Sequence, residues 1–453
     1  MMHPSLLFTL GLASVLVPLS SAHTTFTTLF VNDVNQGDGS CIRMAKKGNV
    51  ATHPLAGGLD SEDMACGRDG QEPVAFTCPA PAGAKLTLEF RMWADASQPG
   101  SIDPSHLGVM AIYLKKVSDM KSDAAAGPGW FKIWEQGYDL AAKKWATENL
   151  IDNNGLLSVN LPSGLPTGYY LARQEIITLQ NVTNDKPEPQ FYVGCAQLYV
   201  EGTSDSPIPS DKTVSIPGHI SDPADPGLTF NVYTGDASTY KPPGPEVYFP
   251  TTTTTTTTSS SSSSGSSENK GAGRQQTPDD KQADGLVPAD CLVKNANWCA
   301  AALPPYTDEA GCWAAAEDCN KQLDACYTSA PPSGSKGCKV WEEQVCTVVS
   351  QKCEAGDFNG PPQLGKELGE GIDEPIPGGK LPPAVNAGES GNHGGGGGDD
   401  NGDDDGDDDN DEAGAGAAST PTFAAPGAAK TSQPNSERAR RREARWRRLA
   451  SAE

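Results

Sequence analysis

The chain has 453 residues and a formal charge of −24 at pH 7, long enough for one or two domains plus unstructured material. The charge is unevenly spread: residues 399–412 alone hold ten acidic side chains, so the acidity says nothing about a substrate, and no nucleic-acid partner is expected. Gly and Pro number 49 and 37, which points to long stretches without a packed core.

Residues 1–22 carry an apolar run over about 6–19 and close on Ser20-Ser21-Ala22, just ahead of His23. That is the pattern of a secretory signal, although its first residues include no Lys or Arg. Cleavage after Ala22 makes His23 the first residue of a secreted, extracellular protein. A terminal histidine offers its α-amine and its imidazole to one metal ion, a pairing no internal histidine can make. The plainer reading is an ordinary residue that follows a cut. No other run is long and apolar enough to span a bilayer, so no membrane partner is expected. In an oxidising compartment the twelve cysteines read as disulfides. They split four and eight between two regions.

Residues 23–250 read as one domain. Strand character appears over 85–91, 109–117, 169–171, 176–179 and 190–200, between loops rich in Gly, Pro and Asp. Many short strands with such loops favour an antiparallel β-sandwich. The domain is large for that fold, so the excess lies in loops, where function tends to sit. Residues 251–285 form a linker that opens on a Thr/Ser tract suited to an extended, O-glycosylated stalk.

Residues 286–355 hold eight cysteines. Cys312, Cys319 and Cys326 are spaced seven apart, as are Cys346 and Cys353. Seven residues are close to two helical turns, so each set lies on one helix face. Asp308 is placed to cap the first helix. The spacing predicts a helical hairpin stapled by disulfides, since so short a segment has little core of its own. A zinc cluster is the alternative, disfavoured because the unit has no histidine and no CxxC. The pairing of its cysteines stays open. Residues 356–453 read as a disordered tail, acidic and then basic, with Trp446 inside the Arg cluster of 438–448.

Six histidines are present: His3, His23, His53, His106, His219 and His393. His106 stands in Ile102-Asp103-Pro104-Ser105-His106-Leu107-Gly108, at the mouth of a predicted strand. His53 and His219 sit in Pro-containing loops. In Gln190-Phe191-Tyr192-Val193-Gly194-Cys195-Ala196-Gln197, the two-residue period of a strand puts Gln190 and Tyr192 on one side and Cys195 on the other. Tyr192 alone is most simply a core aromatic. A half-buried Gln190 needs hydrogen-bond partners.

These residues, together with Thr52-His53-Pro54, Gly57-Gly58-Leu59-Asp60, Met64-Ala65-Cys66-Gly67, Asp95-Ala96-Ser97-Gln98-Pro99-Gly100-Ser101, Trp130-Phe131-Lys132-Ile133-Trp134 and Ile151-Asp152-Asn153-Asn154-Gly155, resemble the fungal lytic polysaccharide monooxygenases of auxiliary activity family nine, formerly classed as family 61 glycoside hydrolases. The resemblance covers nearly all of residues 23–250. It implies an immunoglobulin-like antiparallel β-sandwich with long loops. It also implies one copper ion held by the His23 amine and Nδ1 together with His106. Tyr192 would sit in the axial region at longer range, and Gln190 would hydrogen-bond to oxygen species. Nitrogen donors suit Cu(II), and imidazole serves Cu(I) as well. The implied activity is oxidation at C1 and/or C4 of cellulose or a related β-1,4-glucan. It would be driven by a small-molecule or protein reductant with dioxygen or hydrogen peroxide, in a monomer. The resemblance further implies the disulfides Cys66–Cys195 and Cys41–Cys78, and a surface aromatic, Tyr240, that stacks on sugar.

One position departs from the pattern. The family usually has a histidine where this chain has Gln180, and glutamine is no general acid near neutral pH. Asn181-Val182-Thr183 beside it is a glycosylation sequon. Two other functions remain in view. A hydrolase needs two placed carboxylates, and none form a recognisable pair here. A copper- or polysaccharide-binding cell-wall protein with weak or no turnover is compatible with Gln180. The cysteine-rich unit, placed after a stalk, suggests attachment to a cell wall or polysaccharide.

Overall fold

The computed structural model describes residues 23–183, 187–251, 281–362, 368 and 374–385. Residues 1–22, expected to be a signal, the Thr/Ser tract and the acidic and Arg-rich runs of the tail lie outside the described residues. Among the described residues no helix is long and apolar enough to cross a membrane.

The first domain is a sandwich of two sheets. The smaller runs Leu156–Asn160, Lys85–Arg91, Thr25–Val31, Val34–Asn35. The larger runs Val214–Ile216, Gly127–Gln136, Gly108–Val117, Gly168–Thr178, Gln190–Glu201, Ile42–Arg43. All of these neighbours are antiparallel, and the short Cys78–Pro81 strand adds a parallel pairing to Gln190–Glu201. Alternation turns Phe26, Leu86, Leu88 and Phe90 of the smaller sheet inward against Ile112, Leu114, Ile176 and Leu198 of the larger. The larger sheet is buried on its other face too. There the Asp63–Cys66 helix and the loops through Ile220 and Leu228 cover Val109, Tyr113, Leu171 and Cys195.

Burial on both faces explains one difference from the sequence reading. The pieces expected at 169–171 and 176–179 are one eleven-residue strand, Gly168–Thr178. Its middle, Arg173-Gln174-Glu175, reads as a polar break, yet Arg173 is 0% and Glu175 2% exposed. The charges satisfy one another: Arg173 donates to Glu175 Oε2 at 2.6 Å and to the Met64 carbonyl at 2.9 Å.

The cysteine-rich unit is a helical hairpin. Asp308 caps Glu309–Ser329 by accepting from the Gly311 amide at 2.7 Å. The returning helix runs from Lys336 to Glu354 through a π turn at Glu342–Cys346. Three bonds form a ladder between them: Cys312–Cys353, Cys319–Cys346 and Cys326–Cys338. The first helix steps by seven between rungs, whereas Cys338 to Cys346 is a step of eight. A π turn takes up one extra residue, and it falls within that step. Trp341 is fully buried in this small core. A fourth bond, Cys291–Cys299, ties a hairpin of Val293–Asn295 and Trp298–Ala300.

That hairpin seats on the sandwich. Asn297 accepts from the Cys41 amide at 2.9 Å and donates to the Gly39 carbonyl at 2.8 Å. Ser40 donates to the Ala296 carbonyl at 3.0 Å. A Cβ on Gly39, which has φ +71°, would lie 2.8 Å from Pro331, so glycine allows the close approach. Residue 285 also returns to the sandwich, its carbonyl accepting from Thr77 at 2.8 Å. Within the stretch read as tail, Val385 donates to the Ser158 carbonyl at 2.9 Å.

Candidate metal centre

Sheet register gathers the site. Thr178 pairs with Gly108 on one side and with Gln190 on the other. His106 lies two residues before Gly108, and Gln180 two residues after Thr178. His106, Gln180 and Gln190 therefore emerge at one end of the sheet. His23 comes to the same end, just before the Thr25–Val31 strand. The His23 and His106 rings are 6.5 Å apart between centroids and 76° from coplanar. Tyr192 lies 6.4 Å from His23 and 6.2 Å from His106. On the opposite face of its strand, Cys195 is bonded to Cys66; Cys41 and Cys78 form the other bond of the sandwich.

His106 is held by its loop. Its amide donates to the Asp103 carbonyl at 2.9 Å, and the Leu179 amide donates to the Leu107 carbonyl at 2.8 Å. Ser105 Oγ lies 2.6 Å from Asp103 Oδ1 and 3.2 Å from His106 Nδ1. A carboxylate only accepts, so the hydroxyl hydrogen goes to Asp103 and the oxygen accepts from Nδ1–H. That tautomer leaves the Nε2 lone pair free, as a ligand requires. Burial holds the His106 pKa below its ordinary value. Burial, followed by the nearby His53, His106 and Arg68, does the same for His23. Both shifts favour the neutral imidazole.

Tyr192 is 3% exposed, and burial pushes its phenol pKa up, so it stays protonated. Its hydroxyl donates to Gln190 Oε1 at 3.0 Å. Gln180 Nε2 donates to the same oxygen at 2.7 Å. With Oε1 taken twice, the Gln190 amide is oriented with its NH2 turned away from both donors.

The remaining candidates fall in different places. His53 stacks on His23, with ring centroids 4.3 Å apart. His219 is away from the centre and buried, with Nε2 3.1 Å from Glu175 Oε2. Tyr240 is half-buried between Trp145 and Phe230 at 4.9 and 5.1 Å, and its hydroxyl donates to the Gly227 carbonyl at 3.0 Å. Tyr233, seven residues earlier, is 63% exposed and donates to the Gln180 carbonyl at 3.3 Å. Sequence reasoning did not single it out. The available signal was its place between Asn231 and Gly235, a turn that pushes the side chain outward. Asn181 is exposed beside Gln180.

Among the described residues there is no group of three or more His, Cys, Asp or Glu side chains that could hold a metal. Two imidazoles meet edge-on here, their centroids 6.5 Å apart, and each could offer a nitrogen to one ion. A third donor is available from the His23 backbone when that nitrogen is an amine. The donor set fits a nitrogen-ligated ion of the copper type. The groups that converge are imidazole, phenol and amide, whereas hydrolysis of a glycoside needs a pair of carboxylates flanking the bond.

The profile of Auxiliary Activity family 9 (formerly GH61) matches residues 23–240. The chain is 45% identical over 370 residues to AA9 family lytic polysaccharide monooxygenase C of Aspergillus tamarii, which covers 80% of this chain and 93% of that relative. It is 45% identical over 364 residues to AA9 family lytic polysaccharide monooxygenase H of Botryotinia fuckeliana (strain B05.10), covering 80% of each. It is 43% identical over 361 residues to AA9 family lytic polysaccharide monooxygenase A of Emericella nidulans, covering 79% of this chain and 60% of that one. These alignments run well past the stretch matched by the profile. The chain belongs to Auxiliary Activity family 9, the lytic polysaccharide monooxygenases formerly classed as GH61.

Proposed function

We propose that this protein is a secreted, copper-dependent monooxygenase that cleaves the β-1,4-glycosidic bonds of cellulose oxidatively, at C1 and/or C4. It takes electrons from an external reductant and uses dioxygen or hydrogen peroxide. The observation that carries the reading is the meeting of His23, His106 and Tyr192 at one sheet end, with the Gln190 amide fixed beside them. Copper, when bound by His23 and His106, supplies one-electron chemistry with oxygen.

The chain's own groups do the rest. Ser105 keeps the His106 proton on Nδ1, so the ligand nitrogen stays available. Tyr192 closes the inner side and excludes water there. With its Oε1 taken by Gln180 and Tyr192, Gln190 keeps its Nε2 hydrogens to donate to an oxygen atom of the reactants. Gln180 holds that amide in place but carries no proton to give near neutral pH. The exposed ring of Tyr233 offers a face for stacking on a sugar, and Tyr240 supports that loop from below. A glycan on Asn181 would stand beside Gln180.

Product analysis tests the reading. Copper-loaded protein with cellulose and ascorbate is expected to release chains with aldonic or 4-keto ends, and none when copper or reductant is left out. Reducing sugars released without either would replace it with a hydrolase. Tight copper binding with no oxidation of any glucan would leave a binding protein.

A further inference from the structure

His53 is not part of the donor set described above, yet the chain fixes it with unusual care. The amide of Thr24, the neighbour of His23, donates to the Thr52 carbonyl at 3.1 Å. The His53 amide donates to the Val50 carbonyl at 3.2 Å, and the Leu55 amide to the Phe191 carbonyl at 2.8 Å. Arg68 spreads its guanidinium over three carbonyls of the same loop: Val50 at 3.2 Å, His53 at 2.7 Å, and Pro54. Pro54 adds its own backbone constraint. The result is a short loop tied to the residue just before the first strand, to the Tyr192 strand and to Arg68. It carries an exposed imidazole whose ring lies 4.3 Å from that of His23 at an interplanar angle of 22°.

The near-parallel stack separates two roles. A nitrogen lone pair lies in its own ring plane, so two near-parallel rings 4.3 Å apart aim their lone pairs along separate planes and not at a common point. The geometry is that of a support and not of a further ligand. Aromatic rings at this spacing attract one another. A chain-terminal residue otherwise keeps backbone and side-chain freedom that binding must remove.

We infer that His53 is a positioning residue for the amino-terminal ligand, its stacked ring fixing the plane of the His23 imidazole. The inference rests on the copper reading proposed above. What it adds is that preordering of His23 comes from a stacked ring and needs no nitrogen on that ring.

Protein beginning at His23 is prepared as wild type, His53→Ala and His53→Phe, and thermal unfolding of the apo forms checks that each is folded. The Cu(II) dissociation constant is measured by chelator competition, and the Cu(II) EPR spectrum is recorded. His53→Ala is expected to weaken Cu(II) roughly tenfold, the lower end of what outer-shell losses cost, and to shift the EPR parameters. His53→Phe is expected to restore both. An alanine variant with wild-type affinity and spectrum would overturn the inference. So would a phenylalanine variant as impaired as alanine, because the nitrogen would then be what matters. Wild-type protein that binds no copper would overturn the copper reading itself, and this inference with it.

Discussion

Two hydrogen-bond chains set the chemistry available to single residues at the centre. On one side, Asp103 and Ser105 fix the His106 tautomer that leaves Nε2 free for the proposed copper. Removing the serine hydroxyl frees the imidazole to rotate or switch tautomer. Ser105→Ala is therefore expected to raise the Cu(II) dissociation constant about tenfold, read by chelator competition with folding unchanged. On the other side, Gln180 and Tyr192 hold Gln190. Gln180 does not titrate, so the wild-type pH–rate profile is expected to lack a step from this position. Gln180→His is expected to introduce a limb near the ordinary histidine pKa of about 6.5, and an unchanged profile would contradict that. His106 could be placed from the sequence because a histidine just before a strand is held by the scaffold, but its burial, at 6% exposed, could not. The Ser105 relay could not, because it depends on a rotamer. Nor could the division of labour between Tyr233 and Tyr240, since composition does not tell which ring of one loop turns inward.

The Gly168–Thr178 strand is the element on which the centre depends, because its last residue aligns Gly108 with Gln190. Its polar middle hid it from pattern reading. Alternation reports burial only when charges are outside, and here Arg173, Glu175 and His219 form a network inside. Burial by itself would raise the Glu175 pKa, but Arg173 and His219 outweigh it and hold the carboxyl well below its ordinary range. We place the charge on Arg173 and Glu175. Burial lowers the His219 pKa below 6.5, which makes His219 a neutral donor through Nε2. A histidine with a depressed folded pKa contributes stability that is present above its unfolded pKa of about 6.5 and lost as pH falls through the folded value. The depressed Glu175 adds a loss in the same direction at lower pH. Thermal unfolding is therefore expected to fall from pH 6.5 downward, and His219→Gln is expected to flatten the upper part of that fall. A wild-type melting temperature independent of pH between 6.5 and 4 would contradict the assignment. Arg173→Met, which strands the Glu175 charge, is expected to destabilise by about 3–5 kcal/mol.

At the scale of the whole molecule, the cysteine-rich unit behaves as a cap. Its helices could be read from seven-residue spacing and from Asp308. Its ladder could not, since spacing alone leaves every pairing open, and only packing selects the rungs. Its seat on the sandwich could not be read either, because a Thr/Ser tract suggests separation, whereas Asn297, Ser40 and residues 281–285 close the two together. All six disulfides lie within one or the other unit and none crosses between them. A protease site engineered into residues 252–280 is therefore expected to give two fragments that co-elute in native buffer. Fragments that part without denaturant would contradict a docked cap.

The central claim is that the chain's first residue after processing holds the metal through its own amine. The most direct measurement compares Cu(II) binding by protein that begins at His23 with protein that keeps Ala22 ahead of it. With His23 first, one Cu(II) per chain is expected to bind tightly with a three-nitrogen EPR signature. With Ala22 retained, the amine becomes an amide and that site is expected to be lost. Equal affinity and identical spectra for the two forms would contradict the claim.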